Sequence, residues 1–145
     1  MAAAFVLPSI AGYSFDTSPD LSDPRVRERL SPAATKGFLR VMDKWSVKDP
    51  DARQLLGGIS TGSYYSLKKQ PRRTLDQDAL TRISLLIGIF KALNILYSKS
   101  LADAWMTLPN KNPMFRGATP LAYIIQRGQP GMLNVRQLLD ARRGG

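Results

Sequence analysis

Between Asp76 and Tyr97 the chain carries the apolar pattern that most restricts how it can fold. Ile83, Leu86, Ile87, Phe90, Leu93 and Tyr97 recur at three- and four-residue steps, which puts them on one face of an α-helix. Leu85, Ile89 and Leu96 add apolar groups on other faces, so this helix needs cover around most of its circumference. It is predicted to be the spine of the fold, capped by Thr74 or Asp76. The run Ile83–Leu96 is interrupted by Lys91 and Asn94 and falls short of the roughly 20 apolar residues of a bilayer span. The N-terminus lacks a basic leader and meets Pro8, so no signal peptide is expected. The expectation is a cytoplasmic protein without membrane contact.

Around that spine, four dipeptides mark helix starts: Asp23-Pro24, Ser31-Pro32, Asp49-Pro50 and Thr119-Pro120. Each pairs a capping side chain with Pro at the first helical position, where a missing N–H costs nothing. The spacing predicts helices from Pro32 to about Ser46–Lys48, Pro50–Leu56, Ser60–Lys69, Ser100–Met106, Pro120–Arg127 and Asn134–Arg143. The last two are separated by Gly128-Gln129-Pro130-Gly131. No segment alternates apolar and polar residues, so the class is all-α. Residues 1–22, rich in Gly, Ser, Pro and Asp, read as a flexible arm. A DNA-binding unit is expected over 23–97 and a second helical unit over 98–145.

Composition narrows the chemistry. Cys and His are absent, and of eleven acids only Glu28 is Glu. An ordinary zinc site and a histidine proton shuttle are therefore excluded, and neither catalysis nor a cofactor, metal or small-molecule substrate is expected. Asp49/Asp51 and Asp76/Asp78 are paired carboxylates, but each pair stands at a helix start, where Asp complements the helix dipole. Gly57–Gly62 superficially suggests a phosphate loop, yet lacks the Gly-Lys-Ser/Thr ending and a preceding strand. The 21 Lys and Arg leave a formal charge of +10, which favours a polyanion or an acidic protein surface as partner.

The stretch from Asp51 to Lys69 has the makings of a helix-turn-helix: two short helices, a Gly57-Gly58 turn, and Leu55, Leu56, Ile59 and Leu67 to hold the pair together. The outer side of the second helix is expected to present Ser60, Thr61, Ser63, Tyr64, Lys68 and Lys69, with Arg72 and Arg73 just beyond. The cations would set affinity for operator DNA and the hydroxyl groups its specificity. Gly62 inside the second helix implies either a late helix start or a close approach of backbone to DNA. Binding to a symmetric operator calls for a homodimer, for which the apolar spine and Tyr64/Tyr65 leave room.

In the final third, Phe115-Arg116-Gly117-Ala118-Thr119-Pro120-Leu121 is followed by a Gly-bounded turn and then Val135 to Arg143 with Leu138-Leu139. This order is similar to the toxin-binding domain of the Xre/MbcA/ParS antitoxin family, in which a bulky residue and Gly precede Ser/Thr-Pro-Leu and a Val-x-x-Leu-Leu helix ends the chain. With the upstream elements, the resemblance covers roughly residues 30–145. Departures are Arg116 and Ala118, where further Gly is common, and Ala122 and Tyr123, where an acid is commoner. The resemblance implies a RES-type toxin partner that breaks down NAD⁺ or transfers its ADP-ribose, held in a hetero-oligomer. It places Phe115, Arg116, Arg136, Leu139, Arg142, Arg143 and Gly144 in the toxin-binding surface. The terminal end would cover or plug the toxin's cleft, with Arg142 and Arg143 as its cationic tip. Two other readings stand beside this one: a stand-alone helix-turn-helix regulator with a helical dimerisation or effector domain, and an adaptor that binds an acidic protein and never touches DNA.

Overall fold

The computed structural model describes residues 19–144. Residues 1–18 of the expected arm lie outside this range. Seven α-helices and two single turns of 3-10 helix make up the described chain, and no strand occurs among the described residues. The helices are α1 (Pro24–Lys44), α2 (Asp49–Leu55), α3 (Thr61–Lys69), α4 (Gln77–Leu96), α5 (Lys99–Ala104), α6 (Pro120–Arg127) and α7 (Gln129–Gly144).

Helix α4 is the spine that its apolar pattern predicts, but its cover is narrower than expected: Leu85 and Leu96 are only half-buried and Ile95 is exposed. Asp76 caps it by accepting the Ala79 N–H at 2.8 Å. Its buried residues, among them Ile83, Leu86, Ile89 and Leu93, pack mainly against α7 on one side and α1 on the other. By length and composition alone Gln77–Leu96 could cross a membrane, so the expectation that the apolar run is too short is corrected. Its role as a core helix follows from packing, since α1 and α7 cover its apolar face. A single hydrophobic cluster runs from Phe38 and Trp45 through α4 to Ile124, Met132 and Leu139, across the expected boundary at 97/98.

Two of the four Pro-marked starts hold as expected. Asp23 accepts the Arg25 N–H, and Thr119 accepts the Ala122 N–H at 3.1 Å. The third is shifted: Lys48 is the N-cap of α2, without a side-chain cap, and Asp49 is already helical. The fourth is corrected, because α1 passes straight through Pro32. Ser31 does not cap a helix. It is fully buried, donates to the Arg27 carbonyl at 2.6 Å and accepts the Leu75 N–H at 2.8 Å, tying α1 to the segment before α4. An interior Pro costs about 3 kcal/mol. Burial of Phe38, Val41 and Met42 along the continued helix offsets that loss.

The expected break between the last helices, residues 128–133, shrinks to one residue. Gly128, at φ +68°, ends α6, and α7 begins at Gln129 rather than Asn134. Pro130 then occupies a first-turn position, where an N–H would have no helical partner anyway. The tight corner depends on Gly131, which is buried. A Cβ there would lie 2.7 Å from Arg127 Cβ and 3.4 Å from both Ile124 Cα and the Tyr123 carbonyl oxygen. Gly131→Ala is expected to destabilise the protein by about 1–3 kcal/mol through this overlap. A urea midpoint equal to wild type would contradict the close α6–α7 approach.

Candidate functional site

Two surfaces concentrate the residues singled out above. The first is the pair α2–α3. Helix α2 ends in a Schellman arrangement: Gly57 N–H donates to Gln54 O at 3.0 Å, and Gly58 N–H to Arg53 O at 2.9 Å. Both glycines are left-handed, at φ +95° and +81°, which L side chains adopt only with strain. Arg53 Nε donates to the Ile59 carbonyl at 2.9 Å, holding the exit of the turn. Ser60 then caps α3 by accepting the Ser63 N–H at 3.1 Å. Leu55, Leu56 and Leu67 are buried as expected, and Ile59 is partly so.

Helical phase corrects one residue of this surface. Tyr64 lies three positions before Leu67 and is buried with it, at 3% exposure, rather than on the outer face. Burial pushes its phenol above the usual range. Tyr65, 58% exposed, takes the outer position in phase with Thr61 and Lys69. The spacing 61, 65, 68, 69 already contained that answer. Thr61 and Gly62 are exposed, Ser63 is half-buried, and a Cβ on Gly62 would meet nothing within 4 Å. Helix α3 starts at Thr61, so Gly62 sits in its first turn, where it leaves the backbone open to solvent.

The cations of this face divide into two groups. Lys68 Nζ donates to Asp49 Oδ1 at 2.9 Å and lies 4.8 Å from the Tyr64 ring centroid. The Asp49 hydrogen bond raises its pKa above the ordinary lysine value. Lys69, Arg72 and Arg73 are exposed and make no ion pair among the described residues.

The second surface is the C-terminal end. Phe115 and Leu139, expected at the toxin interface, are core residues with 2% and 0% exposure, which is a correction. Phe115 is held edge-on between Trp105 (6.0 Å) and Tyr123 (5.3 Å), and so anchors the loop before α6 from below. The loop tip is Arg116 at φ +51° followed by Gly117 at φ +82°, both exposed. Arg116 therefore occupies a left-handed position that Gly would adopt without strain, at the site where the resemblance leads one to look for Gly. Tyr123 accepts a hydrogen bond from Asn134 Nδ2 at 3.1 Å and lies beneath Arg127, 5.1 Å from the ring centroid.

Along α7 the buried stripe Met132, Val135, Leu139 continues in phase to Arg142. That phase turns Arg142 back onto the body, where it donates to the Tyr97 hydroxyl at 2.8 Å. Asp140 lies between two arginines, 3.2 Å from Arg136 and 3.7 Å from Arg143. Arg136 also passes over Gly88 of α4, where any Cβ would collide with its guanidinium. Its side chain is thus partly spent inside the fold. Arg142, Arg143 and Gly144 are exposed. Tyr97, which holds Arg142 by this hydrogen bond, is legible in the sequence only as part of the apolar spine.

Among the described residues no cluster of His, Cys, Asp or Glu could hold a metal ion. The described chain is all-helical, with exposed cations after α3 and at the end of α7. Residues 92–145 match the C-terminal toxin-binding domain of the Xre/MbcA/ParS antitoxins, so the chain carries that domain. Uncharacterized protein y4oB of Sinorhizobium fredii (strain NBRC 101917 / NGR234) is 35% identical to it over 130 residues, covering 89% of this chain and 95% of the relative. No solved structure matches the chain.

Proposed function

We propose that this antitoxin neutralises a RES-type, NAD⁺-consuming toxin by covering or plugging its cleft with the C-terminal end, and that α2–α3 binds operator DNA to repress its own transcription. The observation that supports the first half most is the exposed end of α7, Arg142 to Gly144, within a toxin-binding domain; Arg142, held by the Tyr97 hydroxyl, and Arg143, beside Asp140, would exchange these contacts for the toxin's. Two arginine forks suit carboxylates, so the matching toxin surface carries acidic side chains at the cleft mouth. Arg116 at the exposed loop tip is a second contact. Residues 98–145 serve the toxin and 23–97 the DNA, in a cytoplasmic complex with two helix-turn-helix units on a symmetric site.

The second half rests on the Gly-Gly turn, the Ser60-capped α3 with its open backbone at Gly62, and the exposed Lys69, Arg72 and Arg73. Each phosphate neutralised contributes about −0.9 to the slope of log K against log salt concentration. The double substitution Lys69→Ala, Arg72→Ala is expected to weaken binding to the protein's own promoter and make that slope shallower by roughly 1.8. An unchanged slope in a fluorescence titration would remove this surface from the DNA interface.

A further inference from the structure

Lys36 belongs to no motif in the sequence, yet the fold places it in a groove with Lys69, Gln70, Pro71, Arg72 and Arg73. The groove has a volume of about 720 Å³, lies between α1 and the turn after α3, and contains no acid in its lining. All four of its cations are exposed, and none forms an ion pair among the described residues. Lys68 is the opposite case. Its ammonium is already paired with the Asp49 carboxylate at 2.9 Å, which offsets its charge in part. Four like charges left uncompensated around one open groove repel one another unless an anion enters. The groove is continuous at Lys69 with the outer face of α3, so a duplex lying on α3 brings a backbone phosphate to it.

We propose that Lys36 of α1 completes a cradle for a DNA backbone phosphate with Lys69, Arg72 and Arg73, and that Lys68 takes no part in phosphate binding. The proposal rests on the reading of α2–α3 as the DNA-binding element. It extends the footprint beyond α3 onto α1 and makes opposite statements about two lysines that look alike in the sequence.

The test compares the full-length protein with Lys36→Gln and Lys68→Gln on a fluorescent fragment of its own promoter, over a range of salt concentrations. Both positions are exposed and Gln is a good helix former, so the fold should persist. Lys36→Gln is expected to make the salt slope shallower by about 0.9 while leaving discrimination against a scrambled fragment unchanged. Lys68→Gln is expected to keep the wild-type slope. The cradle is overturned if Lys36→Gln keeps the wild-type slope, or if Lys68→Gln loses as much as Lys36→Gln. Wild-type protein that fails to bind its promoter overturns the DNA reading itself. If that protein instead binds inorganic pyrophosphate through Lys36, the groove is a free-anion site and the cradle falls with the DNA reading.

Discussion

Deleting residues 141–145 is expected to restore full toxicity in cells that co-express the truncated chain with its toxin, while promoter binding stays near that of the intact protein. The residues removed include Arg142, Arg143 and Gly144, all exposed and none part of the hydrophobic cluster. The body of the fold therefore survives without them. Truncating one member of a hydrogen-bonded charge pair at an interface costs about 2–5 kcal/mol, and two arginines go at once. That loss is enough to convert a tight complex into one that dissociates at cellular concentrations. Complete neutralisation by the truncated chain would move the blocking surface away from the terminus, towards Arg116 and the loop before α6.

Leu139→Ala is expected to lower stability by about 2–5 kcal/mol, because a fully buried leucine leaves a cavity that the α4–α7 contact can only partly close. With an m-value of about 2 kcal/mol per M, the urea midpoint falls by about 1 M or more. The family resemblance placed Leu139 at the toxin surface, so the result discriminates between two roles. An unchanged midpoint combined with lost toxin binding would return Leu139 to the interface. A large drop in midpoint assigns it to the core and makes any loss of neutralisation a consequence of unfolding.

Local chemistry made much of the fold legible. The caps at Asp23, Asp76 and Thr119, the Gly57-Gly58 turn and the apolar stripe of α4 can each be read from residues within one or two turns of each other. Where the reading failed, a distant partner decided. Ser31-Pro32 resembles a helix start until the Leu75 N–H arrives from 44 residues away to meet the Ser31 hydroxyl. Pro130 and Gly131 resemble a loop until α6 is packed against them, at which point Pro is harmless and Gly is required. Tyr64 and Tyr65 are a different kind of failure. Their inner and outer positions follow from the phase set by Leu67, and the information was local.

The site shows the same division. Exposed cations after α3 and at the end of α7 stand out from composition and order alone. Pairings do not: Lys68 with Asp49, Arg142 with Tyr97 and Arg136 over Gly88 join residues 19, 45 and 48 positions apart. Lys36 is cationic in the sequence but acquires a setting only when α1 is laid beside the turn after α3.

The most direct measurement is cellular NAD⁺ after induction of a RES-type toxin, the proposed partner, with and without this chain. NAD⁺ is expected to fall when the toxin is alone and to stay near the uninduced level when the intact chain is present, and the two proteins are expected to co-purify. An equal fall of NAD⁺ in the presence of the intact, folded chain would contradict the proposed neutralisation.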